Sequence, residues 1–127
     1  MRFGARGWSL AVCLMAMSGG ALAGNLSASL KNYYASYEIV LDCEQQSQIT
    51  TAEADAAEVA IDKIEAYYLK RDSSIDKDHL LDLAEADKDE GFRIMARSGG
   101  GLRPYCRQSL KDLLTKAEEI GTVASGP

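Results

Sequence analysis

The stretch from Cys106 to Ile120, CRQSLKDLLTKAEEI, decides the fold of this chain. Its apolar residues recur at steps of four, three, four and three, the spacing that places side chains on one face of an α-helix. These residues are Cys106, Leu110, Leu113, Ala117 and Ile120. Pro104 suits the first helical position, where its missing N–H costs nothing, and Gly121 is typical of a helix end. We therefore predict an amphipathic helix from Pro104 to about Gly121, followed by a flexible tail over residues 122–127.

The chain before this helix contains three further helical patterns. The first runs from about Leu26 to Gln48, with apolar residues at helical spacing. They are Leu26, Leu30, Tyr33, Tyr37, Val40 and Leu41. The second begins at Thr50, which forms a capping-box pattern with Glu53, and it ends near Arg71.

The third helix begins after Asp76, an N-cap residue, and ends at the glycines that follow Ser98. We expect it to continue through Gly91 at a cost of about 1 kcal/mol. No run of alternating polar and β-branched residues predicts a strand. The sequence therefore predicts an all-α protein, a small up-down four-helix bundle in which residues 24–121 form one domain.

The first 23 residues have the pattern of a cleavable signal peptide. Arg2 and Arg6 precede a mostly apolar run of ten residues, and small residues at Ala21 and Ala23 form a signal-peptidase site. No later run approaches the length of a membrane span. We therefore expect an exported protein, periplasmic or secreted, without stable membrane insertion after the signal peptide is removed.

Two cysteines, Cys43 and Cys106, remain after Cys13 leaves with the signal peptide. An even number of cysteines in an oxidising compartment predicts a disulfide. This bond would join the first helix to the fourth and stabilise the fold by about 4 kcal/mol in the chain-entropy description.

Charge is unevenly divided along the chain. Residues 24–90 hold 6 basic and 16 acidic residues, whereas residues 91–127 hold 6 basic and 3 acidic ones. The acidic excess argues against nucleic-acid binding. Four arginines, Arg93, Arg97, Arg103 and Arg107, lie on either side of the glycines at 99–101. They predict a site for an anion or an acidic partner, although Arg93 and Arg97 also suit the negative end of a helix dipole.

Residues that would carry chemistry are sparse. His79 is the single histidine, and Asp76 and His79 form an acid–histidine pair like half of a di-metal site, without the second half. Asp78, Asp82, Glu85 and Asp89 share a helical face, the pattern of a solvated surface. We therefore predict no catalytic residue, metal site or cofactor.

All six tyrosines belong to the mature chain, and two pairs of them are adjacent. Neighbours on a helix diverge by about 100°, so one tyrosine of each pair lies at a boundary between core and surface or on a partner-binding surface. Together these features predict a non-catalytic exported protein that acts by protein–protein interaction. The partner and the oligomeric state stay open, and a protein that binds an anionic small ligand or a metal ion is the alternative.

The outline of a small helical protein with one disulfide is similar to that of acid-stress chaperones and of immunity proteins that neutralise toxic cell-wall enzymes. This resemblance, of fold alone, implies a chaperone-like or inhibitor-type role.

Overall fold

The computed structural model describes residues 25–125, which form four helices. Helix α1 covers residues 25–45, α2 Thr51–Arg71, α3 Lys77–Ser98 and α4 Leu102–Ser125. Helical residues make up 87% of this part of the chain, and no strand occurs in it. The all-α four-helix prediction is confirmed. The predicted signal peptide, residue 24 and residues 126–127 lie outside the described residues.

The helices run alternately up and down. Cys43 near the end of α1 bonds Cys106 near the start of α4, so these two helices are antiparallel neighbours, as predicted. Helices α2 and α4 run in the same direction, because Glu53 meets Arg107 near their starts, and Ala66 and Ile120 line one groove further along. The packed helix pairs include α2 with α4 and α1 with α3.

The core lies between α1, α2 and α4. Helix α4 buries all five residues of its predicted apolar face. Helix α2 buries Ala54, Ala57, Ala60, Ile61, Ile64 and Tyr68, whereas α3 buries only Leu80 and Ala84. The largest side chains that are fully excluded from solvent are Leu30, Val40, Ile64 and Leu113. Burial of this apolar surface is the main stabilising contribution to the fold.

The predicted disulfide is present. The Sγ atoms of Cys43 and Cys106 are 2.08 Å apart, and the Cα atoms are separated by 5.9 Å. Both cysteines are fully buried. The bond therefore closes a loop of 63 residues and fixes the first helix against the last inside the core.

The predicted starts of α2 and α3 are confirmed by their hydrogen bonds. The Thr50 hydroxyl accepts from the Glu53 backbone N–H, and the Glu53 carboxylate accepts from the Thr50 N–H, at 3.1 and 3.0 Å. Asp76 accepts from the backbone N–H of His79 at 3.2 Å. These caps pair N–H groups that have no partner within the helix.

Two predicted helix ends were wrong. Helix α1 stops at residue 45 rather than at Gln48, because Ser47 adopts a left-handed φ of 60°. The N–H of Ser47 then donates to the carbonyl of Glu44, and that of Gln48 to the carbonyl of Cys43. This is a Schellman motif, which usually contains glycine at the left-handed position.

Helix α4 begins at Leu102 and continues past Gly121 to Ser125. Pro104 is therefore at the third helical position rather than the first, where its missing N–H still costs no helical hydrogen bond. The flexibility predicted for residues 122–127 stays a prediction.

Helix α3 continues through Gly91, as predicted, and the structure supplies a reason for glycine there. A Cβ on Gly91 would overlap the hydroxyl of Tyr105, whose ring also packs edge-on against Phe92. Glycine therefore allows Tyr105 to lie on α3 where α3 meets α4.

Candidate functional surfaces

The four arginines of the predicted anion site do not share one ligand position. Arg93 and Arg97 both pair with Glu90 on α3, and the Arg97–Glu90 contact is 3.5 Å. Arg103 is exposed, and it has no carboxylate within 4 Å in the described part of the chain. An anion at Arg93 and Arg97 would therefore compete with Glu90, and the anion site stays a prediction.

Arg107 contacts Glu53, which lies 54 residues earlier, at 2.6 Å. The same carboxylate caps α2 through the Thr50 N–H. The hydrogen bond from Thr50 and the neighbouring guanidinium lower the pKa of Glu53 below its ordinary value. Arg107 thus connects the starts of α2 and α4.

Asp76, the predicted partner of His79, also has a structural role. The carboxylate of Asp76 caps the helix at the His79 backbone, and His79 itself is exposed. Within residues 25–125, no group of three or more histidine, cysteine or acidic residues is arranged to hold a metal ion. Over the same range, no helix is both long and apolar enough to span a bilayer.

The tyrosine pairs divide as the sequence predicts. Tyr34 and Tyr68 are 3% and 5% exposed, whereas Tyr33 and Tyr67 lie at the boundary. The Tyr34 hydroxyl donates to Glu65 at 2.6 Å, and Lys77 contacts the same carboxylate at 3.1 Å. Through Glu65, these two contacts connect α1, α2 and the start of α3.

Three tyrosine rings surround the ammonium of Lys116. Its Nζ lies 6.0, 6.0 and 5.8 Å from the ring centroids of Tyr33, Tyr67 and Tyr68. The ring of Tyr67 also contacts Arg71, whose guanidinium carbon lies 3.5 Å from the ring centroid. These tyrosines already have cationic partners within the chain.

Tyr37 has a different environment, on the surface between α1 and α2. It is half-buried, and four carboxylates surround it. Burial raises the pKa of Tyr37, and the charges of Glu58, Asp62, Glu38 and Glu44 raise it further. We call these five residues the Tyr37 face. In the part of the chain that the structure describes, no lysine or arginine lies within 4 Å of any of these carboxylates.

A second surface lies where α2 and α4 run side by side, away from α1. Val59 is 56% exposed and Leu114 is 39% exposed, and both line a groove with Ala56, Ala60 and Ala117. Four charged residues surround this apolar centre: Asp55, Lys63, Lys111 and Glu118. We call Val59, Leu114 and these four residues the α2–α4 face.

Sequence reasoning missed both surfaces. The sequence shows the spacing of Asp55, Val59 and Lys63 along α2, but their neighbour Leu114 lies 55 residues after Val59, and Glu58 lies 21 residues after Tyr37. Only the packing of α2 beside α4, and of α1 beside α2, brings them together. No family model matches the chain, and no curated protein or solved structure is significantly similar to it.

Proposed function

We propose that the protein is a non-catalytic exported protein that binds a cationic protein partner through the Tyr37 face. The observation that carries this proposal is the group of four carboxylates around a half-buried tyrosine, none of them in an ion pair with a lysine or arginine of the described residues. Lys88, whose charge interacts with Glu38, pairs with Asp42 instead. Like charges held close together repel one another, and a basic partner surface relieves that repulsion. A phenol on such a surface contributes both apolar area and a hydrogen-bond donor.

The rigid support of the Tyr37 face also favours binding. Tyr34, Ile39 and Val40, on the same helix as Tyr37, are buried, and so are Ile61 and Ile64, on the same helix as Glu58 and Asp62. The backbone that presents the face is therefore already ordered, so binding costs little conformational entropy. Export is consistent with the buried disulfide, since such bonds persist in oxidising compartments.

A non-catalytic role is consistent with the structural roles of the cysteines and of Asp76. Both cysteines of the described chain are bonded to each other, and Asp76 caps α3 rather than orienting the His79 ring. The tyrosines near Lys116, Tyr33, Tyr67 and Tyr68, contact one another and contribute to packing.

The test is photocrosslinking in the cells that naturally make the protein, with a photoreactive amino acid at position 37. We expect an adduct with a second protein of basic isoelectric point, identified by mass spectrometry, and we expect its yield to fall with added salt. Position 94 serves as the matched control, because Ile94 is exposed on α3, away from the Tyr37 face.

Charge reversal then checks the role of the carboxylates. Glu58→Lys with Asp62→Lys should abolish the adduct, because the partner's cations would meet like charges. Asp82→Lys with Glu85→Lys changes the net charge equally on the exposed side of α3 and should leave the adduct intact. An adduct that survives reversal at 58 and 62, or the absence of any adduct at position 37, would disprove the proposal.

A further inference from the structure

The α2–α4 face carries an arrangement of charges that the proposed function does not use. Along α2, Asp55 and Lys63 lie four residues before and four residues after Val59. Along α4, Lys111 and Glu118 lie three residues before and four residues after Leu114. At 1.5 Å per residue, the backbone of each charged residue lies about 4.5–6 Å along the helix axis from the apolar residue at the centre.

The two helices present opposite orders of charge. Since α2 and α4 run in the same direction and Glu53 pairs with Arg107, Asp55 lies within one helical turn of the level of Lys111 at one end. At the other end, Lys63 and Glu118 line the same groove. Opposite signs therefore alternate around the corners of the face, with Val59 and Leu114 in the middle. No ion pair within 4 Å satisfies any of these four charges among the described residues.

We propose that the α2–α4 face binds a second copy of this chain across a two-fold axis. A two-fold contact places a surface against itself, so every cation must meet an anion at the position related by symmetry. If the two α2 helices face each other antiparallel, Asp55 meets the second copy's Lys63, and Lys111 meets its Glu118. If each α2 faces the other copy's α4, Asp55 meets Lys111 and Lys63 meets Glu118.

Both arrangements pair all four charges, and both bring the exposed apolar centres of the two copies into contact. A different protein could bind any arrangement of charges on this face, provided that its own charges were complementary. Only binding to a second copy requires the face to be complementary to itself. The second copy is therefore the occupant that the charge pattern selects. Exposed Val59, at 56% of its free surface, would become buried on association.

Sedimentation velocity over a concentration series up to about 0.5 mM tests the proposal. We expect a reversible monomer–dimer equilibrium in the wild-type protein. Val59→Asp should raise the dimer dissociation constant at least tenfold. The increase should be about 100-fold if the new carboxylate of each copy is buried in the dimer and each weakens it tenfold. Ile94→Asp is the control, since Ile94 is 52% exposed on α3, and it should leave the equilibrium unchanged. Circular dichroism confirms that each variant is folded.

Charge exchange provides a second readout that does not depend on apolar contact. Lys63→Glu should weaken the dimer in either arrangement, because position 63 then faces an acidic residue. Adding Asp55→Lys restores association only if α2 faces α2, and adding Glu118→Lys restores it only if α2 faces α4. Restoration by one of the two double variants supports the proposal and defines the arrangement.

Two results would overturn the dimer: a monomer at every concentration, or weakening by Lys63→Glu that neither double variant restores. A monomer that still forms the adduct at position 37 would leave the proposed function intact. A dimer without that adduct would contradict the proposed function alone.

Discussion

Helices α2 and α3 have nearly the same length, 21 and 22 residues, but they are held in the fold by different forces. Helix α2 lies between α1 and α4 and buries six residues, whereas α3 buries two. Helix α3 gains ion pairs instead, Lys31–Asp87 at 2.8 Å and Lys88–Asp42 at 3.4 Å. Partly exposed ion pairs contribute little to stability, while buried apolar area contributes much.

This difference indicates that α1, α2 and α4 form the stable body of the protein, and that α3 is attached to its side. Both proposed binding surfaces lie on that body. The Tyr37 face belongs to α1 and α2, and the α2–α4 face belongs to two helices that pack side by side. Either surface should therefore persist when α3 is weakened.

One of the two largest effects should come from removing the disulfide, which joins two helices of the body. Replacing Cys43 and Cys106 together by alanine should lower the free energy of unfolding by about 4 kcal/mol, because the unfolded chain regains the freedom of a 63-residue loop. Urea unfolding followed by circular dichroism measures the loss. A change below about 1 kcal/mol would mean that packing alone fixes α1 against α4.

A matched pair of leucines compares the two regions directly. Leu113 of α4 is fully buried and Leu80 of α3 is 6% exposed. Leu113→Ala should cost about 4 kcal/mol and Leu80→Ala about 2.5 kcal/mol, because the surroundings of Leu80 collapse more readily into the space left behind. Equal losses, measured by the same urea titration, would contradict the peripheral position of α3.

The contact between Gly91 and Tyr105 predicts a smaller, conditional effect at the place where α3 meets α4. Gly91→Ala alone should bring little or no stabilisation, since the new methyl group meets the Tyr105 hydroxyl. In a Tyr105→Phe background the same change should stabilise the protein by about 1 kcal/mol, the usual helical preference of alanine over glycine. A thermodynamic cycle of the four proteins measures the coupling, and additive effects would exclude the contact.

The smallest predicted effect is the pH dependence of the contribution that Glu53 makes to stability. The pKa of Glu53 is lower in the folded protein than its ordinary value of 4.5, so its contribution to stability is present above that value. The contribution is lost as pH falls through the lower, folded pKa. Glu53→Gln should therefore be less stable than wild type at pH 6, and the difference should shrink by pH 3 in urea titrations. A difference that does not change with pH would assign the effect to the cap alone.

The sequence predicted those parts of the fold that depend on local pattern. The apolar faces of α2 and α4, the caps at Thr50 and Asp76, and the disulfide required only spacing and residue type. The end of α1 at Ser47 was not predictable, because a serine takes the left-handed position where glycine is usual.

The surfaces depend on contacts that are distant in sequence. The sequence predicted that Arg107 binds an anion, but in the structure it contacts Glu53, which lies 54 residues earlier. Spacing alone also did not show that Tyr34 enters the core, since Tyr33 fitted the apolar pattern better. The packing of α1 and α4 against α2 decides both outcomes.

Native-state hydrogen exchange examines the division between body and periphery without any substitution. Amides around Leu80 and Ala84 in α3 should exchange through a partial opening whose free energy is at least about 1–2 kcal/mol below that of the amides around Ile64 and Leu113. If the amides of α3 instead exchange with the same free energy as those of α2 and α4, the four helices unfold as one unit and α3 is not peripheral.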